Sequence, residues 1–331
     1  MKPAYPLLLA LLAGLVLILF FLSLLAGRNP LPIWEAASQA LGQQDSVLAI
    51  ILTEIRLPRA LIGLFAGASL GLCGAAIQGL LRNPLASPGL IGSASGAALM
   101  AVTVLYFGLQ AISPQVLPLA GMAGALLATL LVYTLAGQNA SITTLILAGV
   151  AINALATAGI SLLLNLAPSP YAMRELVLWT MGDLTDRSME DFWLMLPFTL
   201  LGWLLLLGSG RKLNALTLGE DTATTLGVHP VYLRWQIFIA ISFATGAAVA
   251  TIGMVGFIGL VVPHLLRPLV DHEPSRLLPV SALGGAAMLL AADIGVRLIP
   301  AQTPLKVGVL TALVGAPFFL YLIVRSRRVH L

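Results

Sequence analysis

A repeat of small residues at every fourth position constrains this chain more than any other feature. It runs through the apolar segment 61–81 and comprises Gly63, Gly67, Gly71, Ala75 and Gly79. On a helix of 3.6 residues per turn, this spacing places the small residues along one face, and in lipid such a face lets a second helix approach closely. Each glycine inside a helix costs about 1 kcal/mol relative to alanine. The repeat therefore predicts a helix built to pack against other helices.

The overall composition indicates an integral membrane protein. Of the 331 residues, 59% are hydrophobic and 9% are charged, whereas about a quarter of the residues in a soluble domain are charged. We expect an all-α fold, with about ten transmembrane helices in one bundle and a single transmembrane domain over residues 1–331. Windows of about 20 apolar residues place the helices at approximately 6–26, 60–81, 91–109, 116–136, 142–166, 192–208, 235–251, 252–270, 277–296 and 305–324.

The distribution of basic residues predicts which side of the membrane each connection faces. If the N-terminus is inside, ten of the seventeen Lys and Arg residues lie on the cytoplasmic side, Lys2 and the C-terminal cluster 325–328 among them. Both termini and the connection 209–234 are then cytoplasmic, and the connection 167–191 is periplasmic. The inverted topology remains the alternative. The net charge of +4 reflects this asymmetry, and no basic stripe with interleaved aromatic residues indicates nucleic-acid binding.

The chain lacks the motifs of an ATP-hydrolysing or metal-dependent enzyme. A phosphate-binding loop needs a lysine after a glycine, and none of the three lysines follows one. The four histidines never lie one helical turn apart, and the single Cys73 allows neither an intrachain disulfide nor a cysteine metal site. We therefore expect no bound metal or cofactor and no enzyme activity. An intramembrane serine hydrolase remains an alternative, because Ser69 and Ser161 lie within predicted helices.

Acidic residues inside the predicted helices are almost absent. Asp293 is the clearest one, and Arg297 follows it by one turn, so we expect the two to form an ion pair. A carrier driven by a proton or sodium gradient should contain more such groups. That class remains an alternative, but the sequence favours a transporter whose energy comes from a partner protein.

The connection 209–234 has the pattern of two short helices that a partner could bind. An apolar turn at 213–218 is followed by Gly219, which breaks it, and Gly227 ends a second short helix. We expect Leu216, Leu218 and Leu226 to fill a groove on a soluble protein. An amphipathic loop lying on the lipid surface is the alternative, although residues 213–233 contain no Lys or Arg that would attract anionic headgroups.

Several motifs in one order resemble the FecCD permease family, the membrane subunits of type II ABC importers for iron-siderophores, haem and cobalamin. The resemblance covers residues from about 50 to the C-terminus. The matching segments are Arg56–Arg59 (RLPR), Gln78-Gly79, Arg82–Gly92 (RNPLASPGLIG), Leu147–Ala151 (LAGVA), Leu218–Glu220, Leu226-Gly227, Gly256–His264 (GFIGLVVPH) and Gly315–Phe318 (GAPF).

The resemblance implies an assembly in the bacterial inner membrane. Two copies of this chain would form a homodimer, two cytoplasmic ATPase subunits would bind ATP and Mg²⁺, and a periplasmic binding protein would deliver a metal chelate. Iron-siderophore or haem is the expected cargo, and cobalamin carried by the same machinery is the alternative.

The resemblance also assigns roles to individual residues. Arg56, Arg59 and Arg297 would receive acidic residues of the binding protein, with ordinary interfacial snorkelling as the alternative. Coupling to the ATPase would involve Leu213, Leu216, Leu218, Gly219, Glu220, Leu226 and Gly227. The gate or pathway would involve Ser141, Ile142, Thr143, Thr144, Met173, Arg174 and Trp179. Asn153 and Asn165 are pathway candidates from their place on the fifth predicted helix. Ile142 stands where the cobalamin permease has a polar residue.

Overall fold

The computed structural model describes residues 4–27, 32–42, 46–113, 115–137, 141–299 and 305–327. Lys2, Arg28 and Arg328 therefore lie outside the described residues, and so does the side chain of Ile142. The predicted orientation counts these three cations, so the structure does not test their contribution to it. Every element in the described ranges is helical, as the composition predicts.

The chain forms fifteen helices in the described part, which we number α1 to α15. The first group is α1 (Tyr5–Leu25), α2 (Ile33–Leu41), α3 (Val47–Ile50), α4 (Leu57–Leu80), α5 (Ser93–Tyr106), α6 (Val116–Ala136), α7 (Ile142–Asn165) and α8 (Pro170–Thr180). The second group is α9 (Met189–Leu206), α10 (Ser209–Leu216), α11 (Glu220–Thr225), α12 (Pro230–Ile252), α13 (Ile258–Leu266), α14 (Pro274–Leu298) and α15 (Val307–Arg327).

Seven of the helical segments in the described part are long and apolar enough to cross a membrane, and three shorter apolar helices accompany them. The shorter ones fall in the predicted spans 91–109, 252–270 and 305–324. The ten predicted segments are therefore all helical, but two are shorter than expected. Gly92 has a φ of 74°, and α5 begins only after it. Gly253 and Phe257 also have positive φ values, so the first part of the span 252–270 is not helical and α13 begins at Ile258.

The predicted start of the glycine-rich helix is wrong by more than ten residues. Helix α3 continues through a π-helical segment, Ile51–Arg56, into α4, so the helical segment runs from Val47 to Leu80. Pro58 lies directly after the π-helical segment, at the start of α4, and does not interrupt the helical segment. The polar residues Thr53 and Glu54 made this stretch resemble a connection.

The middle of the glycine repeat lies against the backbone of α14. A Cβ atom added at Gly67 would lie 2.5 Å from the Gly285 carbonyl oxygen, and one at Gly71 would lie 2.0 Å from the Ser281 carbonyl oxygen. Only glycine allows this approach. At the ends of the repeat the neighbours are side chains instead, Leu290 at 3.4 Å from a Cβ at Gly63 and Leu213 at 3.2 Å from one at Gly79. Ala75 is buried in the core.

Helices α4 and α14 run in opposite directions and define two ends of the bundle. At one end Arg59 of α4 contacts Asp293 of α14, and we call this the triad end, because Arg297 joins them. At the other end Gly79 of α4 packs on α10, and α14 begins beside it. We call this the knob end, and the knob is α10 and α11 with the turns that follow them, residues 209–227.

Candidate functional site

A cavity of 430 Å³ lies between α4, α5, α7, α8 and α12. Its walls combine apolar side chains with neutral hydroxyl and amide groups, and no charged side chain lines it. The polar members are Ser87, Ser95, Asn153, Thr157, Ser161, Thr180 and Thr245. Such a lining offers many weak hydrogen bonds to a solute. It contains no carboxylate for proton or sodium coupling, and no histidine or lysine that could activate a serine nucleophile.

A second cavity, of 570 Å³, lies beside the first and is bounded by α15. Thr180, Met254 and Gly256 line both cavities, so the segment between α12 and α13 separates them. This segment is conformationally unusual, because Phe257 has φ 68°, a value that bulky side chains rarely adopt. Gly315 of α15 accommodates the phenyl group, since a Cβ there would lie 2.3 Å from the Phe257 side chain. Backbone strain of this kind clusters at functional sites.

The predicted gate residues lie at the knob end of α7. Ser141 caps the helix by accepting a hydrogen bond from the Thr144 N–H at 3.1 Å, and the two hydroxyl groups are 3.0 Å apart. Thr143 and Thr144 are exposed. Capping the start of α7 is therefore enough to account for Ser141 and Thr144. A gate at this position stays a prediction.

The remaining pathway candidates separate in space. Asn153 lines the first cavity, whereas Asn165 is exposed at the other end of α7 and is not part of the lining. Met173 and Arg174 are exposed on α8, the short helix predicted at this position. Trp179 is partly buried near the end of α8, next to Thr180 of the cavity wall, and its indole N–H has no hydrogen-bond partner in the described part of the chain.

The triad end contains one buried carboxylate between two guanidinium groups. Asp293 is 1% exposed. Its Oδ1 accepts hydrogen bonds from Nη2 and Nε of Arg59 at 2.7 and 3.0 Å, and its Oδ2 lies 2.8 Å from Nη2 of Arg297. The predicted pairing of Asp293 with Arg297 is confirmed. The contact with Arg59 keeps both cations in a buried position that neither could occupy alone.

Arginines at the same end also bind the C-terminus of α1. The last carbonyl groups of a helix have no partner within it. The backbone carbonyls of residues 24 and 25 accept hydrogen bonds from Arg56 Nη1 at 2.7 and 2.8 Å. Those of residues 23 and 26 accept hydrogen bonds from Arg297 Nη1 at 2.8 and 2.9 Å. The positive charges also offset the negative end of the helix dipole. Arg56 and Arg297 therefore attach α1 to the bundle.

The three predicted docking residues are thus brought together, but their side chains are mostly buried. Arg56 is 8% exposed, and Arg59 and Arg297 donate to Asp293 and to α1 rather than extending into solvent. The role of the three arginines in docking stays a prediction. The structure gives them a second role, which is to hold α1 and Asp293 in the bundle.

The knob has the predicted form, two short helices interrupted by Gly219, which has φ 104°. Its leucines divide into two sets. Leu213 and Leu216 are buried in the core beneath the knob, and Leu218 and Leu226 are 64% and 61% exposed. The expectation that Leu216 fills a groove on a partner is therefore wrong for this conformation, because its side chain already packs inside the chain. Leu218 and Leu226 remain available.

Polar contacts attach the knob to its neighbours. Glu220 forms an ion pair with Arg234 of α12 at 2.7 Å. The side chain of Asn214 donates to Glu273 and to the Ser275 hydroxyl, both at 3.0 Å, and accepts from the Ser275 N–H at 2.9 Å. A force on the knob would therefore reach both α12 and α14 through directional contacts.

One contact that was not predicted joins the start of α15 to the connection after α8. Lys306 donates to the carboxylate of Asp183, and the Gly308 N–H donates to the Gly182 carbonyl at 3.2 Å. Burial favours the neutral form of Asp183, but hydrogen bonds from Lys306 and Thr185 outweigh it, so the pKa of this carboxyl lies below its usual range. No local spacing could have indicated the pair, because its members are far apart in sequence.

Comparison with known proteins gives a family match over most of the chain. The model of the FecCD transport family matches residues 15–325. The chain is 41% identical over 294 residues to the uncharacterized ABC transporter permease protein YvrB of Bacillus subtilis, covering 87% of this chain and 83% of that protein. It is 41% identical over 289 residues to the cobalamin import system permease protein BtuC of Halobacterium salinarum, covering 85% and 75%.

Two further matches extend over nearly the full length. The vitamin B12 import system permease protein BtuC of Salmonella paratyphi A is 38% identical over 320 residues, which is 96% of this chain and 94% of that protein. A solved inward-facing structure of an ABC transporter provisionally assigned to the metal-chelate type aligns with a TM-score of 0.84 at 32% identity, covering 97% of this chain and 99% of that one.

Proposed function

This chain belongs to the FecCD transport family and is an ABC-transporter permease of that type; from this premise we propose that it is the membrane subunit of an ATP-driven importer of a metal chelate. The match over residues 15–325 carries the proposal. The chain supplies the path through the bacterial inner membrane, and separate ATPase subunits bind ATP and Mg²⁺ and hydrolyse the nucleotide. A binding protein delivers the chelate from the periplasm.

The lining of the first cavity supports a large solute of mixed polarity. Its neutral hydroxyl and amide groups, among apolar side chains, offer weak contacts at many points, as transport requires binding that is also readily released. Two of the relatives above are named for cobalamin or vitamin B12. Cobalamin is therefore the first chelate to test, with iron-siderophore and haem beside it.

A second copy of the chain would complete the path. The second cavity opens beside α15, where Leu313, which lines it, and the next residue, Val314, are exposed apolar side chains. A symmetric homodimer formed across this face would cover these side chains and enclose the cavities between the two copies.

The knob is the proposed contact with the ATPase. In the proposed topology both termini and the knob end face the cytoplasm. Leu218 and Leu226 present apolar side chains there, and the ion pair of Glu220 with Arg234 joins α11 to α12. The buried Leu213 and Leu216 support the knob from below, while Gly219 and Gly227 provide the turns.

Replacing Leu226 by aspartate is expected to uncouple transport. A charge in an apolar groove costs several kcal/mol when it is unpaired, so the ATPase that co-purifies with the wild-type chain should be retained at least tenfold less. ATP-dependent cobalamin uptake into proteoliposomes that contain the chain, its ATPase and its binding protein should fall in parallel. Wild-type retention and uptake in the L226D variant would contradict the coupling role.

Ile112→Asp provides the matched control for this experiment. Ile112 is exposed in the connection between α5 and α6, at the triad end, so the variant adds the same charge where no ATPase is proposed to bind. It should retain ATPase and uptake. Uptake driven by a proton or sodium gradient with the chain alone would favour a secondary carrier, and labelling by an active-site serine probe would favour a hydrolase.

We also propose that the arginines of the triad end receive the binding protein. Arg56, Arg59 and Arg297 form one cluster at the triad end, which faces the periplasm in the proposed topology. A homodimer presents the cluster twice, so a two-lobed partner with an acidic residue on each lobe could bind across the symmetry axis. Charge complementarity of this kind sets orientation and association rate.

Replacing Arg56 by glutamine is expected to weaken docking without disturbing the Asp293 contacts. The affinity of the binding protein for nanodisc-held transporter should fall about fivefold to tenfold at low salt. The difference should shrink as salt rises, because exposed charges are screened within about 10 Å at 0.1 M ionic strength. Lys212→Gln removes one charge at the knob end and should leave the affinity unchanged. Equal affinities of R56Q and wild type at low salt would show that Arg56 serves only to hold α1.

A further inference from the structure

A third cavity, of 590 Å³, lies at the knob end, away from the two cavities described above. Its walls are formed by α9 and α14, its base by Leu72 of α4 and its rim by the first residues of α10. The walls are largely apolar and include Trp203, Leu206 and Leu278. Because α4, α9 and α14 are all long and apolar enough to cross a membrane, the cavity opens where these helices reach the level of the lipid headgroups.

The walls of this cavity are fixed in place by contacts behind them. The indole N–H of Trp203 donates to the Ser69 hydroxyl at 3.0 Å, and its ring stacks on Phe65 with centroids 5.4 Å apart. Leu206 and Leu278 are buried in the core. The apolar surface is therefore already formed before any ligand binds, which reduces the entropic cost of binding.

The rim of the cavity carries a cation without a partner. Arg211 is exposed, lines the cavity, and forms neither a hydrogen bond nor an ion pair with any residue in the described ranges. Helix α10 begins beside it after Gly208 with no side-chain cap, and Gly210 of its first turn also lines the cavity. Glu273, the carboxylate close to the cavity residue Ser275, is already paired with Arg276 at 2.7 Å.

We propose that this cavity binds one anionic phospholipid. Its phosphate would lie against Arg211 and the first N–H groups of α10, and its acyl chains would lie along Trp203, Leu206 and Leu278. The apolar walls of the cavity match the acyl chains of a phospholipid, and the cation at the rim matches its phosphate. Basic pockets between membrane helices bind anionic headgroups in this way. A soluble protein partner fits less well, since the neighbouring exposed side chains Leu204 and Leu207 are apolar residues of a spanning helix.

The proposed lipid would also stabilise the knob. Ser275 forms part of the cavity wall and at the same time holds Asn214 of α10 through two hydrogen bonds. Arg211 belongs to the same short helix. A lipid in the cavity would therefore contact both sides of the attachment between α10 and α14, and binding should raise the thermal stability of the folded chain.

The test is a lipid titration of the purified, delipidated full chain in detergent, followed by native mass spectrometry. Phosphatidylglycerol should bind about fivefold more tightly than phosphatidylcholine, the preference expected from one cation near the headgroup, and should raise the melting temperature more. Arg211→Ala should abolish both differences. Lys212→Ala should keep them, because Lys212 is the adjacent cation, lies outside the cavity lining and donates to Gln236.

Two further measurements distinguish the lipid from other sources of the same effect. Ala282→Phe, which fills the cavity from α14, should reduce tight binding of both lipids, since it removes space for the chains. Soluble glycerol phosphate at the same concentration should not displace phosphatidylglycerol. Displacement by glycerol phosphate, equal binding of the two lipids to wild type, or an equal loss of preference in R211A and K212A would overturn the proposal.

Discussion

Replacing Gly71 by alanine should strongly lower the thermal stability of the folded chain. The added Cβ would lie 2.0 Å from the Ser281 carbonyl oxygen and 2.9 Å from its carbon, both backbone atoms that cannot rotate away. Helices α4 and α14 would have to separate along their whole contact. Overpacking typically costs about 1–3 kcal/mol, and more where backbone meets backbone, and a leucine at Gly67 or Gly71 should act more strongly still. Thermal unfolding of purified protein in detergent measures the effect.

Gly63→Ala is the matched control within the same repeat. A Cβ at Gly63 would meet only the ends of the Leu290 and Leu184 side chains, at 3.4 and 3.6 Å, which are ordinary contact distances. The change also restores the helix preference of alanine, which is worth about 1 kcal/mol, so the melting temperature should stay the same or rise. If G71A and G63A unfold at the same temperature as wild type, the close approach of α4 and α14 does not determine stability.

Replacing Asp293 by asparagine is expected to be the most destabilising change of a single charge. Arg59 and Arg297 would keep their buried positions without the carboxylate that both of them contact. Removing one member of a buried ion pair costs about 3–5 kcal/mol, because it leaves an uncompensated charge. Attachment of α1 should weaken as well, since Arg297 also donates to its terminal carbonyls. The melting temperature in detergent and protease sensitivity of the α1 end provide the measurements.

Glu273→Gln is the control on the same helix. The side chains of Glu273 and Arg276, which form an ion pair, are each about one-third exposed or more. Exposed ion pairs contribute at most about 1 kcal/mol to the free energy of unfolding. The double variant R59Q/D293N, which removes one charge of each sign, should recover part of the stability lost in D293N. A D293N protein as stable as E273Q would show that the triad end tolerates unpaired cations and that the three groups are not energetically coupled.

Local patterns in the sequence were sufficient for several features. The glycine repeat predicts close helix packing, because a missing side chain is a property of the residue itself and its spacing is set by the helix. The ion pair of Asp293 with Arg297 was predictable for the same reason, since both residues lie one turn apart on one helix. Gly219 indicated the turn of the knob because a left-handed backbone favours glycine.

Contacts between distant segments were not predictable in this way. Arg59 binds Asp293, and Lys306 binds Asp183, only because the bundle brings different helices together. Leu216, Leu218 and Leu226 were all expected to face a partner, although Leu216 is buried and Leu226 is exposed, since a short helix does not show which face meets the core. Asn153 and Asn165 lie on one helix, but only Asn153 lines a cavity.

The sequence by itself determined that this is a helical membrane protein of the FecCD type with no ATP-binding motif of its own. Hydropathy, helical periodicity and motif order are local properties of the chain, so they can be recognised without knowing which helices are neighbours. Only the tertiary structure decided which cations are buried, which leucines face outward and where the three cavities lie. These depend on the packing of segments far apart in sequence, and the free energy of an ion pair or a buried leucine depends on everything that surrounds it.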